Sequence, residues 1–230
     1  SVRTLLGPRW TTILRCLARG YPLPRWGNLR RTRPFSQRFG SESGSPVDRY
    51  YLEEFLDRHR ALITGDVLEI QMSSYTHRFG SRLGAVHSVD INPVHRPTYL
   101  CDLPLADGII ESPRYDCFLL PNTLHHLRDL DGCLREARRI VRPGGAILAS
   151  AVGLVPLIAD GPDYWRMSAD GWREVLARAW PGSNVEVESH GNCLAATAAL
   201  LGLAQEELRP EELDVADPRY PVLVTVLFRP

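Results

Sequence analysis

The sequence predicts a doubly wound, mostly parallel α/β domain. After Gly65, short apolar runs alternate with helical stretches, the order expected when helices cover both faces of a parallel sheet. A helix-length stretch closes on Arg142-Pro143-Gly144-Gly145, where proline and glycine stop the helix and turn the chain into the next apolar run. The chain has 230 residues and 44% apolar content, enough for one such domain with short appendages and cramped for two.

Residues 1–44 read as an irregular basic arm ahead of a domain spanning 45–230. Residues 1–40 hold nine of the 27 Lys+Arg and none of the 27 Asp+Glu, which leaves an acidic body of net charge −9. Trp10, Trp26 and the prolines at 8, 22, 24 and 34 are expected to interrupt any long amphipathic helix there, so organelle targeting is not favoured. A helix is signalled from Ser45 to about 63. Ser45 can cap it, Pro46 suits its first turn, Asp48 completes a capping arrangement, and Val47, Tyr51, Leu52, Phe55, Leu56 and Leu62 form its buried stripe.

Candidate strands follow at 67–71, 85–90, 98–101, 115–121 and 146–152. Between the last two, residues 130–141 form a helix with Leu134, Ala137, Ile140 and Val141 on one face. Ser168 or Asp170 opens another helix reaching 179, residues 184–189 alternate as a strand, 193–203 is a small-residue helix, and 222–228 is the final strand.

Composition excludes several chemistries. Every basic residue is arginine, which removes lysine bases and Schiff bases. The five cysteines are scattered, with no C-x-x-C pair, so neither a zinc site nor a disulfide framework is indicated and reduced thiols in the cytoplasm are expected. No metal cluster has ligand spacing, and no apolar run approaches the roughly 18 residues that span a bilayer.

The motifs point to a nucleoside. Glu69 lies in the first apolar run, Val67-Leu68-Glu69-Ile70, and Asp90 ends the second, 21 residues after it. In open α/β sheets an acid at that distance accepts hydrogen bonds from a ribose diol, although strand-ending aspartates also serve as turn formers. The turn between them, Gln71-Met72-Ser73-Ser74-Tyr75-Thr76, lacks the glycines that let backbone approach a pyrophosphate, which argues against a dinucleotide. S-adenosylmethionine carries no phosphate, and Ser73 and Ser74 can pass beside its amino-acid tail and ribose.

The ordered segments VLEI, SVD, CDL, YDCFLLPNTLHHL and REARRIVRPGGAIL, over roughly 45–152, resemble the class I S-adenosylmethionine-dependent methyltransferases. A narrower similarity runs through Trp26-Gly27-Asn28-Leu29, Pro46-Val47-Asp48-Arg49-Tyr50-Tyr51, Tyr75-Thr76-His77-Arg78-Phe79-Gly80 and Asp163-Tyr164-Trp165-Arg166 to bacterial methyltransferases found beside glycosyltransferase genes. The resemblance implies seven strands with the last antiparallel, S-adenosylmethionine as cofactor, and a small-molecule acceptor such as a sugar. It implies that Glu69, Gln71, Ser73 and Ser74 line the methionine end, that Asp90 holds the ribose, and that Asp102 and Leu103 meet the adenine, with Asn122 also in the cofactor set.

His125 and His126 follow a strand end, where the transferred methyl would sit. Either is a candidate base for an alcohol acceptor, and both could instead start the next helix. Tyr75, Tyr164, Trp165 and Arg166 are the candidate acceptor contacts, the last three in the connection after the 146–152 strand. The arginine arm is expected to wrap the body or touch a small substrate, with no nucleic-acid partner, and the oligomeric state stays open. Two competing outcomes remain: an enzyme that cyclises S-adenosylmethionine or transfers its methionine tail, and a non-catalytic adenosyl-binding module.

Overall fold

Consecutive residues of one strand enter different cores, which is why this sheet needs helices on both faces. In the computed structural model, which describes residues 8–20, 25–158 and 161–230, the first strand is β1 (Gly65–Ile70). Its Val67 packs in one apolar cluster and its Leu68 in the other, both fully buried. In β4 (Tyr115–Leu120), Cys117 and Leu119 join Val67, while Phe118 and Leu120 join Leu68. The alternation is that of a pleated sheet with no solvent face.

With β2 (Leu83–Asp90), β3 (Tyr99–Leu100), β5 (Val141–Val152), β6 (Asn184–His190) and β7 (Leu223–Arg229), the sheet has seven strands in the order β3-β2-β1-β4-β5-β7-β6. Only β7 runs against its neighbours, pairing antiparallel with both β5 and β6. The predicted doubly wound, mostly parallel fold with one reversed final strand is therefore observed. The strand order reverses between β1 and β4, and ligands of such sheets bind beyond the carboxyl ends of the strands at that switch point.

The helices sort by face. The N-terminal part of the body supplies α2 (Val47–Arg58) and α3 (Ser74–Phe79), and the C-terminal part adds α6 (Cys193–Leu201) and α7 (Pro210–Leu213). These pack with Val67 and Leu119. On the other face lie α4 (Leu130–Ile140) and α5 (Ala169–Ala179). Trp180, just beyond α5, stacks on Phe228 of β7 with ring centroids 4.0 Å apart, and its indole N–H donates to the Leu134 carbonyl at 2.9 Å. That bond satisfies the one polar atom of a fully buried tryptophan.

Several local expectations are corrected. Ser45 does not cap α2. Pro46 holds the cap position without a side-chain bond, Ser45 instead gives its N–H to the Glu206 carboxylate, and the Asp48 side chain turns toward Asn122. The helix stops at Arg58, because residues 60–62 tighten into a 3₁₀ turn before Gly65, at φ 67°, swings the chain into β1. The strand after α4 begins at Val141. Pro143-Gly144-Gly145 sits within it as an irregularity that shifts the register between Tyr115↔Val141 and Cys117↔Ala146.

The chain divides into two compact units, residues 1–34 and 35–230. The first contains α1 (Pro8–Ala18), where an irregular segment was expected. Pro8 opens the helix, where a missing N–H costs nothing, and the next prolines come only at 22 and 24, leaving three turns uninterrupted. Among the described residues no helix is long and apolar enough to cross a membrane.

Candidate functional site

Beyond the carboxyl ends of β1, β2 and β4 lies a cleft of about 600 Å³. Of the residues singled out from sequence, Glu69, Gln71, Ser74, Tyr75, Asp90, Asp102, Leu103, Asn122, His125, His126 and Tyr164 line it. Ser73, Trp165 and Arg166 do not. Ser73 precedes α3 and makes no capping bond. Trp165 donates its indole N–H to the Leu127 carbonyl and lines a separate groove. Arg166 directs its guanidinium at Asp163 and at the carbonyls of Gly153, Val155 and Pro156, so its donors hold the chain after β5 in place.

Glu69 works through α3. Its carboxylate accepts the N–H groups of Tyr75 (3.1 Å) and Thr76 (2.8 Å) and the Thr76 hydroxyl (2.6 Å), closing the start of a six-residue helix. Burial raises its carboxyl above the ordinary range, against these three lowering bonds. Gln71, immediately after β1, has φ 68°, the left-handed conformation that glycine adopts without strain. The turn thus keeps the backbone path of a glycine turn while carrying a side chain, whose amide lies 3.5 Å from the His95 ring.

Asp90 ends β2 with one oxygen accepting the Asn92 N–H at 3.1 Å and the other 2.6 Å from His95 Nδ1. Two bonds leave acceptor capacity on a carboxylate with about four lone-pair sites. Asp102 starts a short turn through Leu103 without bonding its own helix end, and Leu103 is buried beside it. Ile70, Ile91 and Cys101 add apolar surface to the cleft.

Other lining residues are polar. Asn122, in the left-handed region at φ 47°, donates its backbone N–H to the Ser150 Oγ at 2.7 Å and its Nδ2 to Asp48 at 2.5 Å. Asp48 is buried, and burial pushes its carboxyl above the usual range against the pull of Arg49 and Asn122. Arg49 in turn donates to the Tyr75 hydroxyl. Asp48 and Arg49 escaped the sequence reading, which treated Asp48 as a capping residue. The available signal was its place one turn before Tyr51 and Leu52, on the buried stripe of α2.

The two histidines differ. Val152 donates its backbone N–H toward His125 Nδ1 at 3.5 Å, so the proton of His125 sits on Nε2. Burial, helped by His126, drives its pKa from 6.5 down to about 3. His126 Nδ1 lies 2.6 Å from the Pro162 carbonyl, which can only accept. That bond fixes the proton on Nδ1 and leaves the Nε2 lone pair free to take a proton. The His125 carbonyl accepts the backbone N–H groups of Tyr164 and Trp165, so the histidine turn also anchors the loop at 161–166 over the cleft.

Comparisons with known proteins agree with this architecture. Residues 59–149 match the family described as "Methyltransferase domain". No curated protein matches the sequence. Among solved structures, an S-adenosylmethionine-dependent methyltransferase from Archaeoglobus fulgidus superposes with TM-score 0.54 at 13% identity, over 79% of this chain and 94% of that one. One from Mesorhizobium loti gives 0.52 at 17% identity, over 80% and 98%. A DhpI-SAM-HEP complex gives 0.52 at 16%, over 80% and 88%. At these identities the likeness establishes the fold, that of the class I methyltransferases.

Proposed function

We propose that this chain, an S-adenosylmethionine-dependent transferase whose residues 59–149 match the methyltransferase-domain family, methylates a small polar acceptor, a sugar or comparable metabolite. The observation that carries this reading is the set of residues lining one cleft: Asp90, which ends β2, and Asp102, which follows β3, with apolar Ile91 and Leu103, and with Asn122, Tyr75 and His126. The aspartates and the apolar pair suit a nucleoside: carboxylates accept from ribose hydroxyls and from an adenine amino group, while Leu103 and Ile91 cover the ring. No glycine-rich cradle for phosphate accompanies it, in keeping with a cofactor that has none.

The cofactor supplies an electrophilic methyl group, so the protein's task is to aim an acceptor atom at it. Positioning to about 3–3.5 Å is worth several orders of magnitude in such a displacement. Asn122 and Tyr75 can hold hydroxyls, and His126 Nε2 takes the proton that an alcohol acceptor releases. His125, neutral and carrying its proton on Nε2, serves as a donor. Tyr164 lines the same cleft.

Incubation with S-adenosylmethionine and a panel of sugars and sugar phosphates, read by mass spectrometry, tests this reading. Acceptor-dependent formation of S-adenosylhomocysteine is expected, and His126→Gln should lower kcat by about 10²–10⁴ with cofactor affinity unchanged. Methylthioadenosine formed without any acceptor would replace methyl transfer by cyclisation or tail transfer.

A further inference from the structure

We propose that α1 seats this protein on an anionic lipid surface. Helical spacing brings Trp10, Ile13, Leu14 and Leu17 onto one side of α1, at i, i+3, i+4 and i+7. That stripe is exposed: Trp10 is 60% exposed, Leu14 52% and Leu17 59%. The opposite side carries Arg15, with Arg19 just past the helix end.

An exposed apolar stripe needs an apolar partner, and the surrounding charge says of which kind. The first acidic residue in the sequence is Glu42, after nine arginines. Trp26, half exposed and stacked under the Arg30 guanidinium at 5.7 Å, adds a second aromatic with a cation beside it. A basic amphipathic helix with an aromatic on its apolar face lies in the plane of a membrane, its stripe among the acyl chains and its cations among the phosphates.

The other partners fit worse. A nucleic-acid duplex offers phosphates but no layer to receive Trp10, Leu14 and Leu17. A second copy of the arm offers the stripe but repels through like charge. An eleven-residue helix is marginal alone in water. Burial of its stripe in an interface would stabilise it at the moment of binding.

The full chain is tested by co-sedimentation with vesicles of phosphatidylcholine alone and of phosphatidylcholine with one third phosphatidylglycerol. At least about tenfold tighter binding to the anionic vesicles is expected, falling as salt rises from about 0.1 to about 0.5 M. The double substitution Leu14→Glu, Leu17→Glu should abolish binding. Because those changes can also unfold α1, a second variant, Arg15→Gln with Arg19→Gln, keeps good helix formers and removes only charge. It should weaken binding to the anionic vesicles and leave the remainder less salt-sensitive. Calorimetry of S-adenosylmethionine binding should be the same for all three proteins. Equal binding to both vesicle types, no binding to either, wild-type binding by both variants, or preference for a DNA duplex over anionic vesicles would overturn the proposal.

Discussion

Gln71 holds a backbone conformation that an L side chain adopts at a cost of about 1–2 kcal/mol, at φ 68° in the turn that leaves β1. Replacement by glycine removes that strain and restores some unfolded-state entropy. Thermal unfolding of Gln71→Gly without ligand should therefore show a gain of up to about 1 kcal/mol, and a loss would mean that the Gln71 amide contributes more than its long contact with His95 suggests. The sequence signalled this turn only as a place where glycine was missing. Its backbone path was not legible, because φ depends on the strand exit and the cleft wall, which no local pattern encodes.

His125 carries a second prediction. Burial holds its folded pKa at about 3 against an ordinary 6.5. As pH falls below 6.5 the unfolded chain therefore takes up a proton that the folded chain refuses. Stability from this group is fully present above 6.5 and is lost progressively toward 3, with a slope of at most about 1.4 kcal/mol per pH unit. His59, His87 and His190 are also lowered chiefly by burial and act in the same sense. Urea unfolding of His125→Asn from pH 6.5 to 4.5 should show a flatter decline than wild type, and an identical slope would contradict the assignment. Adjacent histidines in sequence gave two equal candidates. Their different partners, a backbone N–H for one and a carbonyl for the other, put the ring proton on Nε2 in His125 and on Nδ1 in His126.

At the scale of elements, the connection from β5 to α5 owes its course over the cleft to two anchors. The His125 carbonyl receives the Tyr164 and Trp165 N–H groups, and Arg166 reaches back to three carbonyls at 153–156. Arg166→Ala should loosen that connection, seen as faster proteolysis there and a higher KM for the acceptor, at a cost of about 2–3 kcal/mol in stability for bonds made by a charged group. Unchanged cleavage and KM would mean that the loop is held by packing alone. From sequence Arg166 looked like a substrate contact, because a charged residue beside two aromatics in a glycine- and proline-rich connection fits either role. The helices and strands fared better where periodicity was strong, as in α4. Where one residue type served two ends, they did not: Asp48 completed a capping pattern on paper, but its carboxylate belongs to Asn122.

For the whole molecule, the alternation of apolar runs and helices was enough to foresee the doubly wound sheet, since parallel strands buried on both faces have few other ways to pack. The convergence of Glu69, Asp90, Asp102 and Asn122 on one cleft follows from strand order and was legible only through their positions at strand ends. The basic arm was misread in part: prolines suggested no helix, yet Pro8 opens one.

The proposed function requires an adenosyl group held by the Asp90 and Asp102 carboxylates. Calorimetric titration of S-adenosylhomocysteine into the wild-type protein and into Asp90→Ala tests it most directly. Saturable binding by the wild type, weakened at least about tenfold by the loss of a charged hydrogen-bonding partner, is predicted. No heat with the wild type, or equal affinity in both proteins, would contradict it.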